Sequence, residues 1–154
     1  MNVLVAHTIQ EFITMDKYTG KSTGYRDLTF YQTIDNFEYT VKNVIDDYLY
    51  ELKQLAVEVG VESRERDKFQ FNPKLLCYHV YGNTKLYYII LKINDMCNVH
   101  EFSLEKNRLL LLRNSDMQAS VSSIYKIENA ALQRYNTSHK NDKSVVVIEK
   151  YKGK

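Results

Sequence analysis

Residues Asn72 to Asn94 read NPKLLCYHVYGNTKLYYIILKIN. The chain has one Pro and five Gly, and this stretch uses the Pro and one Gly as punctuation. Asn72 is placed to cap a helix, and Pro73 suits its first turn, where the missing N–H would be unsatisfied anyway. Gly82, directly after Tyr81, supplies the left-handed stop. A second helix is expected almost at once: Asn83 or Thr84 is in position to cap it, and Leu86, Ile89, Ile90 and Ile93 recur on one helical face. The stretch is predicted to be a tight helical hairpin.

Beyond Asn94, residues 95–108 look irregular, and LLLLR at Leu109–Arg113 has the length and flanking turn residues of a buried strand. Ser115 with Gln118 three positions later is a capping-box pattern, predicting a helix to about Tyr135 with Met117, Val121, Ile124, Ala131 and Tyr135 inward. NTSHKNDKS from Asn136 reads as a polar loop. VVVI at Val145–Ile148 reads as a β-branched strand that must find a sheet edge, in its own chain or another's, and the Lys-rich end as a frayed tail.

Upstream of the hairpin, ESRERDK at Glu62–Lys68 predicts a charged linker, and the alternation in KFQF just before Asn72 predicts a short strand. Further back, Phe37, Val41, Val44, Tyr48, Leu52, Leu55 and Val59 follow one another at three- and four-residue steps. That stripe predicts an amphipathic helix over 35–61, with Asp35 as N-cap, Glu38 three residues later, and Gly60 as stop. Its apolar face, with Val41, Tyr48 and Leu52, is a candidate partner-binding surface, as is the terminal strand through Val146 and Ile148. Val3–Ala6 and Gln10–Thr14 look like short extended pieces, and residues 15–26 carry turn material. The resulting division is an extended arm (1–34), an amphipathic helix (35–61), a strand–helix–helix–strand module (66–113), and a C-terminal helix with strand and tail (114–154). The fold class is α+β, a small module with flanking long helices and extended terminal segments.

With 44% hydrophobic and 26% charged residues and no low-complexity run, the chain is expected to fold. Its net charge of +2 arises from 21 basic and 19 acidic residues interspersed along the chain, so no basic patch announces nucleic acid. Cys77 and Cys97 are too few for a disulfide framework and lack zinc-site spacing, which predicts reduced thiols and a cytoplasmic setting. The N-terminal MNVLVAHTIQEF has no export pattern, and no segment has the apolar length of a membrane span. Thirteen Tyr with no Trp favour half-buried positions and protein interfaces.

No GxSxG, HExxH or phosphate-loop pattern is present, and His7, His79, His100 and His139 are scattered. His79 and Cys77 are two apart on a helix and point to different sides. Asp46 and Asp47 diverge in the same way, and Tyr87 and Tyr88 sit on a helix rather than on a base-stacking sheet. No catalytic, metal or cofactor residue is nominated, and a non-enzymatic role is expected.

The pattern N-P-x-L-L-x-Y-x-V-Y-G-N-T-x-L-Y-Y-I-I-L-x-x-N resembles the LysM-like module of contractile-tail phage proteins, especially the baseplate wedge protein family. Asn72 and Pro73 open the match, Tyr81-Gly82 corresponds to the helix end, Asn83-Thr84 to the polar step, Tyr87-Tyr88 to the aromatic pair and Asn94 to the terminal Asn. Leu104–Arg113 corresponds more loosely to the closing strand. The resemblance implies a βααβ module in a non-enzymatic virion protein that joins neighbouring baseplate subunits, in multiple copies around the tail axis, within the virion and, during assembly, the host cytoplasm. It implies no cofactor, nucleic acid or membrane. The alternative it implies is a peptidoglycan-binding LysM protein of a cell-wall hydrolase system, with a sugar groove at about Gln70–Leu75 and Asp95–Leu104 that contains Asn72, Asn94, Asp95 and Asn98. The family's usual Trp in the aromatic pair is Tyr here, and LEKNR stands where Gly or Pro commonly precedes the last strand; both departures count against the sugar groove.

Overall fold

The computed structural model describes residues 3–15, 29–34, 37–139 and 148–149. In chain order the elements are β1 (Leu4–Ala6), α1 (Ile9–Met15), β2 (Thr29–Ile34), β3 (Phe37–Asn43), α2 (Leu49–Leu55), β4 (Val57–Gly60), α3 (Ser63–Phe69), α4 (Pro73–Tyr81), α5 (Tyr87–Ile93), β5 (Arg108–Leu111), α6 (Asn114–His139) and β6 (Ile148–Glu149). Single 3₁₀ turns occupy Val44–Tyr48 and Val99–Glu101. The protein is α+β, and it divides into two compact units, residues 1–22 with 49–118 and residues 23–48 with 119–154.

The first unit is built on a three-stranded sheet in the order β1-β4-β5, with β1 parallel to β4 and β4 antiparallel to β5. The VEVG of β4 alternates, and Val57 and Val59 are its buried residues, the period-2 pattern of a strand with one face on a core. Leu109 and Leu111 of β5 are buried beside them. The α4–α5 hairpin contributes Leu76, Cys77, Val80, Ile89, Ile90 and Ile93 to the same core, and α5 packs on α4, α2 and β5. Removing side chains of this size from water stabilises the fold by about 1.5–3 kcal/mol each, before the entropy of ordering them is charged. The second unit contains an antiparallel sheet in the order β3-β2-β6, registered from Thr29↔Asn43 to Ile34↔Phe37 and by Gln32↔Ile148.

Several sequence expectations need correction. The amphipathic helix over 35–61 is instead a strand, a 3₁₀ turn, the short helix α2 and a second strand. The three-four spacing was real, but FEYTVKN also alternates Phe37, Tyr39 and Val41 with Glu38, Thr40 and Lys42. Aromatic and β-branched residues at period two favour a strand when a partner strand such as β2 is present. Gly60, expected to stop that helix, closes β4: a Cβ there would lie 2.3 Å from the carbonyl oxygen of His7. Asp35, the expected cap, lies outside the described residues.

The charged stretch expected to be a linker is helix α3, and the strand expected at KFQF is absent because Phe69 ends that helix, buried. Gln10–Thr14 belongs to α1 rather than to an extended arm. The polar loop expected from Asn136 starts later, since α6 runs to His139. Both described terminal strands pair within the chain: β1 lies on β4, and Ile148 and Glu149 of β6 lie on β2. Val146 lies outside the described residues.

Candidate functional site

The hairpin is held by the residues that define it in the sequence. The Asn72 side chain accepts a hydrogen bond from the Leu75 N–H at 3.2 Å, and Pro73 occupies the first turn of α4. Gly82 takes φ 72°, and its N–H donates to the Tyr78 carbonyl at 2.8 Å. Asn83 does not cap α5. Its side chain instead accepts from the Lys85 N–H at 2.6 Å, a turn two residues long, and α5 begins at Tyr87 after Leu86 with no side-chain cap. The Asn83 carbonyl accepts from the Cys77 thiol at 2.7 Å. Burial pushes the Cys77 thiol from near 9 up to about 12, because desolvation disfavours the thiolate more than the backbone hydrogen bond from Leu86 helps it.

Two hairpin residues reach the closing strand. The Tyr81 hydroxyl donates to the Leu112 carbonyl at 2.6 Å in the buried core. Asn94, at the C-cap of α5, donates from Nδ2 to Ile90 at 2.7 Å and to the Leu110 carbonyl at 2.9 Å, while its Oδ1 accepts from the Leu110 N–H at 2.8 Å. One amide side chain therefore occupies both backbone groups that Leu110 presents on the side away from β4. Tyr87 and Tyr88 meet edge to face at 6.3 Å, and the Lys74 ammonium lies 5.1 Å from the Tyr87 ring centre. The pair is half-buried packing with a cation over one face, not an open stacking platform.

The loop between α5 and β5 carries three of the four non-glycine residues with positive φ found among the described residues, Asp95, Leu104 and Asn107; the fourth, Phe71, donates its N–H to Phe102 of the same loop at 2.6 Å. Asn107 also accepts from Arg66 Nη1 at 2.9 Å and from the Val61 N–H at 2.8 Å. Left-handed backbone at Leu104 and Phe71 costs energy that surrounding contacts must offset. A groove of about 320 Å³ opens here, lined among others by Asn94, Asp95, Ser103, Glu105, Lys106 and Arg108. Several of its polar groups are engaged: Asp95 pairs with Lys53, Arg108 with Glu58, and Asn94 with Leu110, while outside the groove Asn98 caps the following 3₁₀ turn by accepting from the His100 N–H.

One organising residue belongs to no functional sequence motif. Glu65 of α3 accepts from the Ile9 N–H at 2.9 Å, from the Gln10 N–H at 2.7 Å and from the Glu62 N–H at 3.1 Å. A single carboxylate thus satisfies orphan donors at the starts of both α1 and α3, where negative charge is favoured. Two local patterns mark these starts, Thr8 with Glu11 and Glu62 with Glu65; Thr8 Oγ1 accepts from the Glu11 N–H at 2.9 Å. No local pattern reports that Glu65 serves a helix 56 positions away.

Of the candidate partner-binding residues, Leu52 is in the core, so it presents no docking surface. The Tyr48 hydroxyl bonds Glu128 at 3.2 Å, Val41 lies in β3, and Ile148 lies opposite Gln32. They are distributed over separate elements, not along one helical face. Both cysteines are free; Cys77 is buried and Cys97 exposed. Among the described residues no group of three or more His, Cys, Asp or Glu could hold a metal ion, and no helix is long and apolar enough to cross a membrane. No family model, curated protein or solved structure matches this chain.

Proposed function

We propose that this chain is a non-enzymatic structural component of a contractile-tail phage baseplate, a wedge or connector protein that holds neighbouring subunits together. The observation that carries this reading is the strand–hairpin–strand arrangement of β4, α4, α5 and β5, in which the resemblance residues Asn72, Tyr81, Gly82 and Asn94 all have fixed structural tasks. The module expected over 66–113 has no strand at KFQF, so in this reading β4 serves as its first strand, the module runs over 57–111, and α3 is an insertion before the hairpin. Such a module is a rigid peg, held by caps at one end and at the other by three hydrogen bonds between the side chains of Tyr81 and Asn94 and the backbone of Leu112 and Leu110. Exposed Tyr78, Phe71 and Ile127 offer the isolated apolar contacts that neighbours would cover.

The test is peptide mass spectrometry of gradient-purified contractile-tail particles from the source of the sequence. The chain is expected at a constant ratio to the other baseplate proteins; its absence from intact particles would overturn the reading. The second reading, a peptidoglycan-binding LysM protein, is favoured by the polar groove beside Asn94 and Asp95, at the loop that forms part of the sugar site in such domains. Against it, Asn72, Asn94 and Asn98 each use their side chains on backbone groups. Calorimetry with chitin oligomers and peptidoglycan fragments is expected to show no saturable heat, and micromolar saturable binding would replace the first reading with the second.

A further inference from the structure

The two edges of the first sheet differ, and the open one carries more than a bare backbone. Across the Leu4↔Glu58 register, the Glu58 N–H donates to the Val3 carbonyl at 2.9 Å. In a parallel ladder the residue opposite bonds the neighbours of its partner, so the N–H and C=O of Leu4 point away from β4. Beside this edge runs a groove of about 390 Å³ lined by Val3, Val5, Leu55 and Val57, with Arg113 and Asp116 at the start of α6. Val3 is 67% exposed and Leu55 43%. Neither Arg113 nor Asp116 forms an ion pair among the described residues.

We propose that this edge and groove form a two-fold self-association surface, on which β1 of a second copy of this chain lies antiparallel to β1 and Arg113 of each copy faces Asp116 of the other. Charge selects the occupant. A groove with one cation and one anion three residues apart is its own complement under a two-fold axis, whereas a groove meant for a peptide of one sign would carry the other. The apolar residues are self-complementary by the same operation. A three-residue strand supplies few hydrogen bonds, so the groove contributes much of the contact and the association is weak, in the micromolar range. This surface lies away from the Asn94 edge, and its test does not depend on the baseplate reading.

Sedimentation of the full chain over a rising concentration series is expected to show the mass climbing from 18.2 kDa toward twice that value. Arg113→Asp and Asp116→Arg are each expected to abolish the rise, because like charges then meet across the axis. An equimolar mixture of the two variants is expected to restore it, since each variant presents two charges of one sign to two of the other. Leu4→Pro removes the outward N–H while leaving the Val3 carbonyl that accepts from Glu58 in place, and is expected to weaken association by roughly tenfold; it decides the matter if Asp116→Arg loses helical circular dichroism. A wild-type chain that stays monomeric, single variants that associate like wild type, or folded single variants that stay monomeric when mixed would each overturn the proposal.

Discussion

The two edges of the β1-β4-β5 sheet show two ways of ending a sheet. At β5, the Asn94 side chain takes both outward groups of Leu110, standing in for a fourth strand. At β1, Leu4 keeps its outward backbone groups, and exposed Val3 and a groove lie alongside. An edge strand is a template for further pairing unless something blunts it. The side chain that blunts β5 comes from the hairpin, so the same contact that fixes the module also prevents pairing on that side. The two edges are therefore unequal, open at Leu4 of β1 and blocked at Leu110 of β5.

The largest expected effect breaks the open side. Gly60 closes β4 against the turn after β1, and an added Cβ would lie 2.3 Å from the His7 carbonyl oxygen and 2.8 Å from its carbon. Both are backbone atoms of a segment tied down by β1 and α1, so Gly60→Ala must push β1 off its neighbour. Urea denaturation is expected to show a loss of about 3 kcal/mol, at the upper end of overpacking costs. Gly82 is the contrast, because nothing lies within 4 Å of a Cβ there and only its φ of 72° matters. Gly82→Ala is expected to cost about 1 kcal/mol, the price of left-handed backbone for an L-residue. Equal losses at the two glycines would mean that the close approach of β1 to β4 is not what Gly60 serves.

The next effect opens the closed side. Asn94→Leu keeps the approximate volume but strands the N–H and C=O of Leu110 and leaves the Ile90 carbonyl without its side-chain donor. A loss of about 2 kcal/mol is expected from these partly buried groups. Hydrogen exchange should quicken at the Leu110 amide while the amides of β1 keep their rates. If Leu110 stays protected in the variant, the Asn94 contact is not what seals the edge.

These two sides were unequally legible in the sequence, for physical reasons. Asn72, Pro73 and Gly82 act on backbone groups within four positions of themselves, so their meaning is written locally, and LLLLR likewise announced β5. The stretch from Phe37 to Val59 carried two periods at once. Its three-four stripe suggested one helix, and the choice between the periods was made by β2 and β5, strands distant in sequence. Asn94 was legible as a helix end but not as the seal of an edge, because Leu110 lies 16 positions away. Glu65 was read as part of a charged linker, since the α1 donors it accepts from lie 55 and 56 positions away. Leu52 was nominated for a partner because a buried stripe and a docking stripe have the same spacing.

The smallest effect sharpens the comparison through the hairpin that carries Asn94. Cys77 lies beneath the turn with its thiol on the Asn83 carbonyl, and its pKa is pushed from near 9 to about 12 by burial. Between those values the unfolded chain has released this proton and the folded chain has not. Unfolding is then accompanied by proton loss, so this contribution to stability is complete below about pH 9 and falls as pH rises toward about 12. The slope is about 1.4 kcal/mol per pH unit inside that window. The useful quantity is a difference that isolates Cys77: urea unfolding at about pH 7 and about pH 10, for wild type and for Cys77→Ala. The variant is expected to lose less stability between the two conditions, even though the small cavity it creates lowers its starting point. Because Cys77 acts on the hairpin, the extra alkaline loss in wild type should come with faster exchange at Leu110 relative to β1. Parallel pH dependences for the two proteins would mean that the thiol ionises without opening the turn, and that the closed edge does not depend on it.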